Sequence, residues 1–232
     1  MQRTGLSSTI AIMASTEFPV AASQGVDDEH RSTRKRKAIL DAAATVFIRN
    51  GYLGTSMDEI AALAAVSKQT VYKHFADKQR LFTEIVTDTV NEVSESLYHE
   101  VVNIRDSGDI EADLRDLARR QLEGVMQPRL LQLRRLVIGE AGRFPQLGRA
   151  FYERGPQRTI TALAHAFKRL AERGVLQLDD PLLAAAHFNW LIMSIPLNQV
   201  MLCGDADLPT PADLDRYATA GVRVFLAAYH RR

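Results

Sequence analysis

The chain has little of what stabilises secreted proteins or anchors proteins in membranes. Its 232 residues include one cysteine, Cys203, so no intrachain disulfide can form and a reducing compartment is expected. Cys203 lies in an apolar stretch with no nearby Lys, Arg or His, and we expect a buried, inert thiol. No apolar run reaches the roughly 18 residues that a membrane helix requires. The sequence therefore predicts a cytoplasmic protein with no membrane partner.

Motifs for catalysis or metal binding are also missing. His99-Glu100 begins like the zinc signature H-E-x-x-H, but Asn103 stands where the second histidine would be needed. The chain has no G-x-S-x-G turn, no G-x-x-x-x-G-K-[ST] loop and no C-x-x-C pair. We therefore expect no enzymatic activity, no metal site and no cofactor.

Strand-like alternation is nearly absent, and only residues 174–178 hint at it. Apolar residues recur instead with helical spacing, and with 46% hydrophobic residues the chain can build a real core. The predicted fold class is all-α. Helices of the later part are expected near 78–106, 110–126, 129–142, 146–153, 156–173, 181–203 and 211–230.

The first 30 residues show neither a helical nor a strand-like periodicity, and we interpret them as a disordered arm. A later translation start at Met13 is an alternative. A basic run from Arg31 to Lys37 follows. It is either a flexible arm that contacts phosphate or the minor groove, or the solvated start of the first helix, which stops at Asn50-Gly51.

Residues 55–75, TSMDEIAALAAVSKQTVYKHF, predict two short helices across a turn. Ser56 and Glu59 have the spacing of a reciprocal capping box. Ser67 can cap a second helix, with Val71 and Phe75 facing inward. Residues of the first helix recur on one apolar face: Met57, Ile60, Ala61 and Ala64. Two short helices joined in this way are typical of a helix-turn-helix.

The outward side of the second helix carries almost only hydrogen-bond donors. Phosphates and base edges in the major groove offer mostly acceptors, so this side suits double-stranded DNA. Charge supports the same partner: residues 31–80 hold ten Lys and Arg against four Asp and Glu, a net charge of +6. The net charge is −3 over residues 1–30 and −2 over residues 81–232.

The run from Ala38 to Leu81 resembles the DNA-binding domain of the TetR/AcrR family of bacterial repressors. The resemblance implies two sets of contacts with operator DNA. Residues implied to hold mainly phosphates are Thr55, Ser56, Tyr72 and Lys78. Residues implied to face the groove are Lys68, Gln69, Thr70, Lys73 and His74. Ala65 departs from the family, which usually has glycine at this turn, and a left-handed alanine costs about 1 kcal/mol.

Residues 134–163 resemble, more loosely, the ligand domain of an AefR-like subgroup of the same family. Together the two resemblances imply a disordered arm over 1–30, a helix-turn-helix domain over 31–80, and a helical ligand-binding and dimerisation domain over 81–232. The implied function is a homodimeric transcriptional regulator, a repressor released from a pseudo-palindromic operator by a small apolar or amphipathic effector. An activator, or a DNA-binding protein without a ligand, is the alternative.

Two sets of residues in the second domain are candidates for the effector and the dimer. Aromatic and polar residues that could line a ligand cavity, or else belong to plain core, are Phe151, Phe167, His187, Asn189, Trp190 and Met193. Apolar residues that either form the dimer interface or are buried within the chain are Leu183, Phe188, Leu191, Ile195, Val222, Val224, Phe225 and Leu226.

Overall fold

The computed structural model describes residues 21–102, 104 and 108–230. Residues 1–20 of the predicted arm lie outside the described residues. From Ala21 onward the chain is helical, so the expectation of disorder was wrong for residues 21–30. The basic run 31–37 is likewise helical and exposed, which supports the solvated helix start.

The N-terminal part forms four helices, which correspond to the predicted helix-turn-helix and its neighbours. They are α1 (Ala21–Gly54), α2 (Met57–Leu63), α3 (Lys68–His74) and α4 (Lys78–Val102). Gly51 interrupts α1 with φ 70° and ψ 175°, a conformation that glycine adopts readily. The predicted stop at Asn50-Gly51 therefore appears as a kink followed by one more short helical segment.

The later part adds six α-helices near the predicted positions. They are α5 (Ile110–Val125), α6 (Pro128–Glu140), α7 (Pro145–Tyr152), α8 (Arg158–Glu172), α9 (Pro181–Cys203) and α10 (Pro211–Tyr229). Four of them begin with proline, which lacks the N–H that would be unpaired at a helix start. Thr210 and Asp213 close a capping box at the start of α10. These local signals explain why the helix starts were predictable.

The predicted helix over 156–173 differs in its first turn. Residues Glu153–Gln157 form a π-helical turn that connects α7 to α8 and contains Pro156. A proline ring clashes with the carbonyl four residues earlier, and a widened turn relieves that clash. The predicted strand-like stretch 174–178 amounts to one bridge, between Leu176 and His230, and the described residues contain no named strand.

One hydrophobic core joins the first four helices to α6 and α7. Phe47, Tyr52 and Phe82 lie with ring centroids 4.9–5.9 Å apart, and Phe144 from the start of α7 contacts Tyr52 at 4.7 Å. We call this cluster the head core. It continues through the first half of α4 to Val90, so packing crosses the predicted domain boundary between residues 80 and 81.

A second cluster, the helical core, is built mainly from α5, α8, α9 and α10. Phe167, Phe188 and Phe225 lie at its centre with centroids 5.0–5.4 Å apart. Helices α9 and α10 approach closely at Gly221, where a β-carbon would lie 2.6 Å from Cγ2 of Ile192.

Part of the predicted dimer interface belongs to this interior. Phe188, Val222 and Phe225 are buried because the helical period turns them toward α5 and α8. Leu183, Leu191, Ile195 and Val224 are exposed on the outer side of α9 and α10.

The single cysteine is also placed differently from the expectation. Cys203 ends α9, beyond Val200, the last buried residue of that helix, and is exposed. The expectation of a buried thiol was wrong, because the apolar stretch around Cys203 extends beyond the part of α9 that the core covers.

Candidate DNA interface and ligand cleft

The helix-turn-helix is held by two serine caps. Ser56 Oγ accepts a hydrogen bond from Glu59 N at 3.2 Å, and Ser67 Oγ accepts one from Thr70 N at 3.1 Å. Between the helices, Ala65 has φ 53°, a left-handed conformation that glycine adopts more readily than alanine. The turn therefore keeps its geometry with alanine, at a cost of about 1 kcal/mol.

The exposed face of α3 carries two of the predicted groove residues, Gln69 and Lys73, and one predicted phosphate contact, Tyr72. Gln69 and Lys73 are exposed, and Tyr72 is 45% exposed. Lys68 is also exposed, but its Nζ lies 2.7 Å from Oδ1 of Asp58 in α2 and donates a hydrogen bond to Oδ2 at 3.0 Å. That hydrogen bond raises the pKa of Lys68 and partly neutralises it as a contact for phosphate.

Two other residues of the predicted set are turned toward their neighbours. Thr70 is half-buried, and its hydroxyl lies 2.8 Å from that of Ser67. His74 is also half-buried; burial, followed by the nearby charges of Lys73, Arg36 and Lys35, lowers the pKa of its imidazole. Both causes favour the neutral imidazole of His74, and burial is the larger of the two.

Thr55 and Lys78, both implied to hold phosphate, have structural roles in the described residues. Thr55 is 3% exposed, and its hydroxyl donates to the carbonyl of Gly51 at 2.7 Å. Lys78 Nζ donates to the carbonyls of Tyr52 and Thr55, both at 2.9 Å, and lies 4.7 Å from the Tyr52 ring centroid. Thr55 and Lys78 thus stabilise the turn before α2 and connect it to the start of α4. A sequence pattern alone does not distinguish this structural role from phosphate binding.

A cleft lies where the two hydrophobic cores meet. Val90, Leu130 and Phe151 contribute from the head core, and Met193 contributes from the helical core. The remaining lining residues are Val93, Ser94, Leu97, Gln121, Val125, Arg134, Gly155, Pro156, Thr159, Asn189 and Trp190. The free volume of the cleft is about 40 Å³.

The structure brings four of the six predicted cavity residues to this cleft. They are Phe151, Asn189, Trp190 and Met193. Phe167 is instead at the centre of the helical core, and His187 is exposed with Nδ1 2.6 Å from the hydroxyl of Tyr229. Helical periodicity places both on sides of α8 and α9 that do not face the cleft.

The sequence analysis missed the polar residues from the other helices that line the cleft. Gln121 from α5 donates from Nε2 to Oδ1 of Asn189 at 2.7 Å, and both side chains are buried. Arg134 from α6 lies with its guanidinium 5.3 Å from the Phe151 ring centroid. The only sequence signal for Arg134 was its position inside the apolar pattern of α6.

Comparison with known proteins decides the family. Residues 39–85 match the model of bacterial regulatory proteins of the tetR family, and residues 112–231 match the model of the AefR-like transcriptional repressor C-terminal domain. A TetR-family transcriptional regulator from Mesorhizobium loti MAFF303099 is 44% identical with a TM-score of 0.81, over 86% of this chain and 98% of that one. The chain belongs to the TetR family of bacterial transcriptional regulators. Its assignment as a DNA-binding regulator, and its all-α fold, are confirmed.

Two further relatives show how far the similarity extends. The flavonoid-responsive regulator FrrA is 34% identical with a TM-score of 0.69, over 86% of this chain and 99% of that one. The regulator YhgD of Bacillus subtilis strain 168 is 42% identical over 64 residues, which are 28% of this chain and 34% of YhgD. The chain thus matches about a third of the length of that curated relative, whereas it spans nearly all of the two solved structures.

The TetR-family relatives are transcriptional regulators and not enzymes, and regulators of this family bind operator DNA and dimerise. Within the described ranges, no three His, Cys, Asp or Glu side chains are grouped to hold a metal ion. None of the described helices has both the length and the apolar character needed to cross a membrane.

Proposed function

We propose that this TetR-family protein is a homodimeric repressor whose hold on a pseudo-palindromic operator is weakened when an apolar or amphipathic molecule enters the cleft. The observation that carries this proposal is the position of the cleft between the two cores. Phe151 and Leu130 belong to the core of the DNA-binding head and also line the cleft. A ligand there must press directly on the packing that positions α3.

Helix α4 supplies the second connection. At its start, Lys78 is tied to the carbonyls of Tyr52 and Thr55 beside the helix-turn-helix. Further along the same helix, Val90, Val93, Ser94 and Leu97 line the cleft. Because α4 is continuous over this length, displacement at the cleft changes the position of the recognition helix and hence the spacing of two such helices in a dimer.

The proposed operator contacts are Gln69, Tyr72 and Lys73, with weaker contributions from Lys68, Thr70 and His74. Ser56 remains a proposed phosphate contact because it is exposed at the start of α2. One recognition helix reads only a few base pairs, and two copies about 34–36 Å apart reach successive major-groove faces.

The proposed dimer face is the exposed apolar side of α9 and α10. Its members are Leu183, Leu191, Ile195 and Val224. Ile195 is 61% exposed, and so is Ile138 on α6, which gives a matched pair. Ile195→Asp is expected to give monomers by light scattering, while Ile138→Asp stays dimeric; a dimeric Ile195→Asp protein would move the interface elsewhere.

The proposed effector is an apolar or amphipathic organic molecule rather than a sugar or nucleotide, because aliphatic and aromatic side chains dominate the cleft. FrrA, which responds to flavonoids, supports an effector with a flat aromatic body. Activation is the alternative to repression, since the matching regulator FasR of Mycolicibacterium smegmatis, 42% identical over 52 residues, is an activator.

The test starts with selection of bound duplexes from a random DNA pool, which should return sites with two-fold symmetry. Hydrophobic compounds are then titrated while the fluorescence of Trp190, the chain's single tryptophan, and operator release are followed together. Compounds that change Trp190 fluorescence should lower operator affinity by about 5–150-fold. Binding at Trp190 without any change in operator affinity would contradict the proposed switch.

A further inference from the structure

The cleft contains one charged side chain among its described lining residues, Arg134. No carboxylate lines the cleft beside it, and no described group makes a hydrogen bond or an ion pair with it. Its neighbour Arg135 shows the ordinary alternative, because that guanidinium pairs with Asp205 and donates to the carbonyl of Val200 at 3.0 Å. Arg134 is therefore a part-buried cation without a counter-charge.

Arg134 has a buried donor without a partner in the described residues. Its guanidinium carbon lies 5.3 Å from the centroid of the Phe151 ring, and Nε is buried without an acceptor. Guanidinium has five N–H donors in one plane and no acceptor, and its usual partner is a carboxylate bound in that plane by two hydrogen bonds. Burial lowers the pKa of Arg134 to about 10, so the group is still charged at pH 7.

Polar groups buried in the protein are concentrated at the same place. Among the described residues, buried polar side chains other than Thr55 are Ser94, Gln121, Thr159 and Asn189, and all four line the cleft. Gln121 Oε1 is buried and has no donor. Buried polar atoms are normally paired, and two residues of this cleft lining each carry one that is not: a donor, Nε of Arg134, and an acceptor, Oε1 of Gln121.

We infer that the cleft binds an organic anion whose carboxylate pairs with Arg134 and whose apolar body lies against Trp190 and Met193. This inference rests on the proposed function and narrows its effector class from apolar or amphipathic molecules to amphipathic carboxylates. Trp190 is 42% exposed, so it forms the side of the cleft nearest to solvent and the natural path of entry.

The small free volume of the cleft implies that binding of the carboxylate ligand moves the surrounding helices. The free volume of about 40 Å³ is small beside the roughly 300–1,000 Å³ of pockets that bury drug-sized ligands, so we expect a ligand with an extended apolar body to separate the helices around the cleft. The π-helical turn packs closely on α4 at Gly155, where a β-carbon would lie 3.2 Å from Cγ1 of Val90. Expansion at this point displaces α4.

The experiment uses two pairs of probes that differ only in charge. They are decanoate with decanamide, and 3-phenylpropanoate with 3-phenylpropanamide, all below concentrations that form micelles. The full-length protein is titrated with each probe, and binding is followed by Trp190 fluorescence and by release of the selected operator. We expect each carboxylate to bind at least about tenfold more tightly than its amide, because charge-assisted hydrogen bonds are about twice as strong as neutral ones.

Arg134→Met keeps the apolar stem of the side chain and removes its charge. We expect it to lower carboxylate affinity by about tenfold or more and to leave amide affinity within about twofold. Arg134→Lys, which keeps the charge but not the planar donor edge, should lie between. Arg154→Met is the matched control, because Arg154 is exposed and directly precedes the lining residue Gly155. It removes a nearby positive charge and so measures the long-range electrostatic attraction of the carboxylate by itself.

A purely structural role for Arg134 makes a different prediction. Since the guanidinium has no counter-charge, Arg134→Met should melt no lower than the wild type, whereas loss of a paired structural arginine would lower the melting temperature. The inference is overturned by equal affinities for carboxylate and amide, by a carboxylate preference that survives in Arg134→Met, or by no binding of any probe. Operator release by the amides without a carboxylate preference would overturn this inference and leave the proposed function standing.

Discussion

The recognition helix α3 and the cleft both depend on polar side chains, but these lie in opposite surroundings. Gln69, Tyr72 and Lys73 are exposed, so water satisfies their polar groups. Gln121 and Arg134 carry buried polar atoms that nothing in the described chain satisfies. An unpaired exposed donor costs almost nothing, whereas an unpaired buried one costs about 1–3 kcal/mol. The exposed side chains of α3 are therefore identified as candidate contacts by their residue types. The buried side chains of the cleft are identified by polar atoms that lack a hydrogen-bond partner.

The two regions also differ in how they are held. Helix α3 is seven residues long and is fixed by its Ser67 cap and by buried Val71. The cleft is assembled from α4, α5, α6, α7, α8, α9 and the turn before α8. Mutations on α3 should thus act locally on DNA affinity, and mutations in the cleft should also change stability.

The largest expected effect is that of Phe151→Ala. Phe151 is buried in the head core while it lines the cleft, and truncating a buried phenylalanine costs about 3–5 kcal/mol of unfolding free energy. Urea denaturation of the operator-free protein measures the loss. An unchanged stability would mean that the cleft is not part of the head core, and the mechanical link would fail. Tyr152→Ala, at an exposed neighbour, is the control.

Next in size is Lys78→Met. Its ammonium bonds to the carbonyls of Tyr52 and Thr55, and hydrogen bonds to charged groups contribute about 1.5–3 kcal/mol. We expect a lower free energy of unfolding, with no change in the slope of log operator affinity against log salt. A shallower slope with unchanged stability would restore the phosphate role that the family resemblance implied.

Lys73→Ala should show the reverse pattern. Operator affinity is expected to fall by about 1–3 kcal/mol and the salt slope to decrease by about 0.9, with stability unchanged. Fluorescence anisotropy with labelled operator at several salt concentrations gives both numbers. Arg223→Ala removes the same charge from an exposed position on α10 and should leave both unchanged. Equal losses of operator affinity in the two variants would indicate a general electrostatic attraction of DNA by the protein instead of a contact by α3.

The smallest expected effect concerns His74 and pH. Its pKa in the folded protein is lowered, mainly by burial, so the unfolded chain binds the proton more readily. The stability from neutral His74 is therefore present above the unfolded pKa, about 6.5, and is lost as pH falls through the lower folded value. Denaturation at pH 7.5 and pH 5 should show a smaller acid loss for His74→Gln than for the wild type. The same loss in both would assign the acid sensitivity to other groups.

Several features of the fold follow from local sequence signals. The caps at Ser56 and Ser67, the proline starts of four later helices, and the donors on α3 all involve residues within about one helical turn of each other. Such interactions are present in the sequence spacing itself. They were enough to predict the all-α fold, the helix-turn-helix and the class of partner.

The amino-acid sequence by itself determined where helices begin, which face of α3 is polar and where positive charge accumulates, because these depend on near neighbours in the chain. Only the tertiary structure decided that Thr55 and Lys78 fasten a turn, that Phe167 and Phe225 are core, and that the cleft lies between two cores. It also decided that Arg134 lacks a counter-charge while Arg135 has one. The physical reason is that a side chain's partners come from helices distant in sequence, and adjacent residues on one helix face different neighbours.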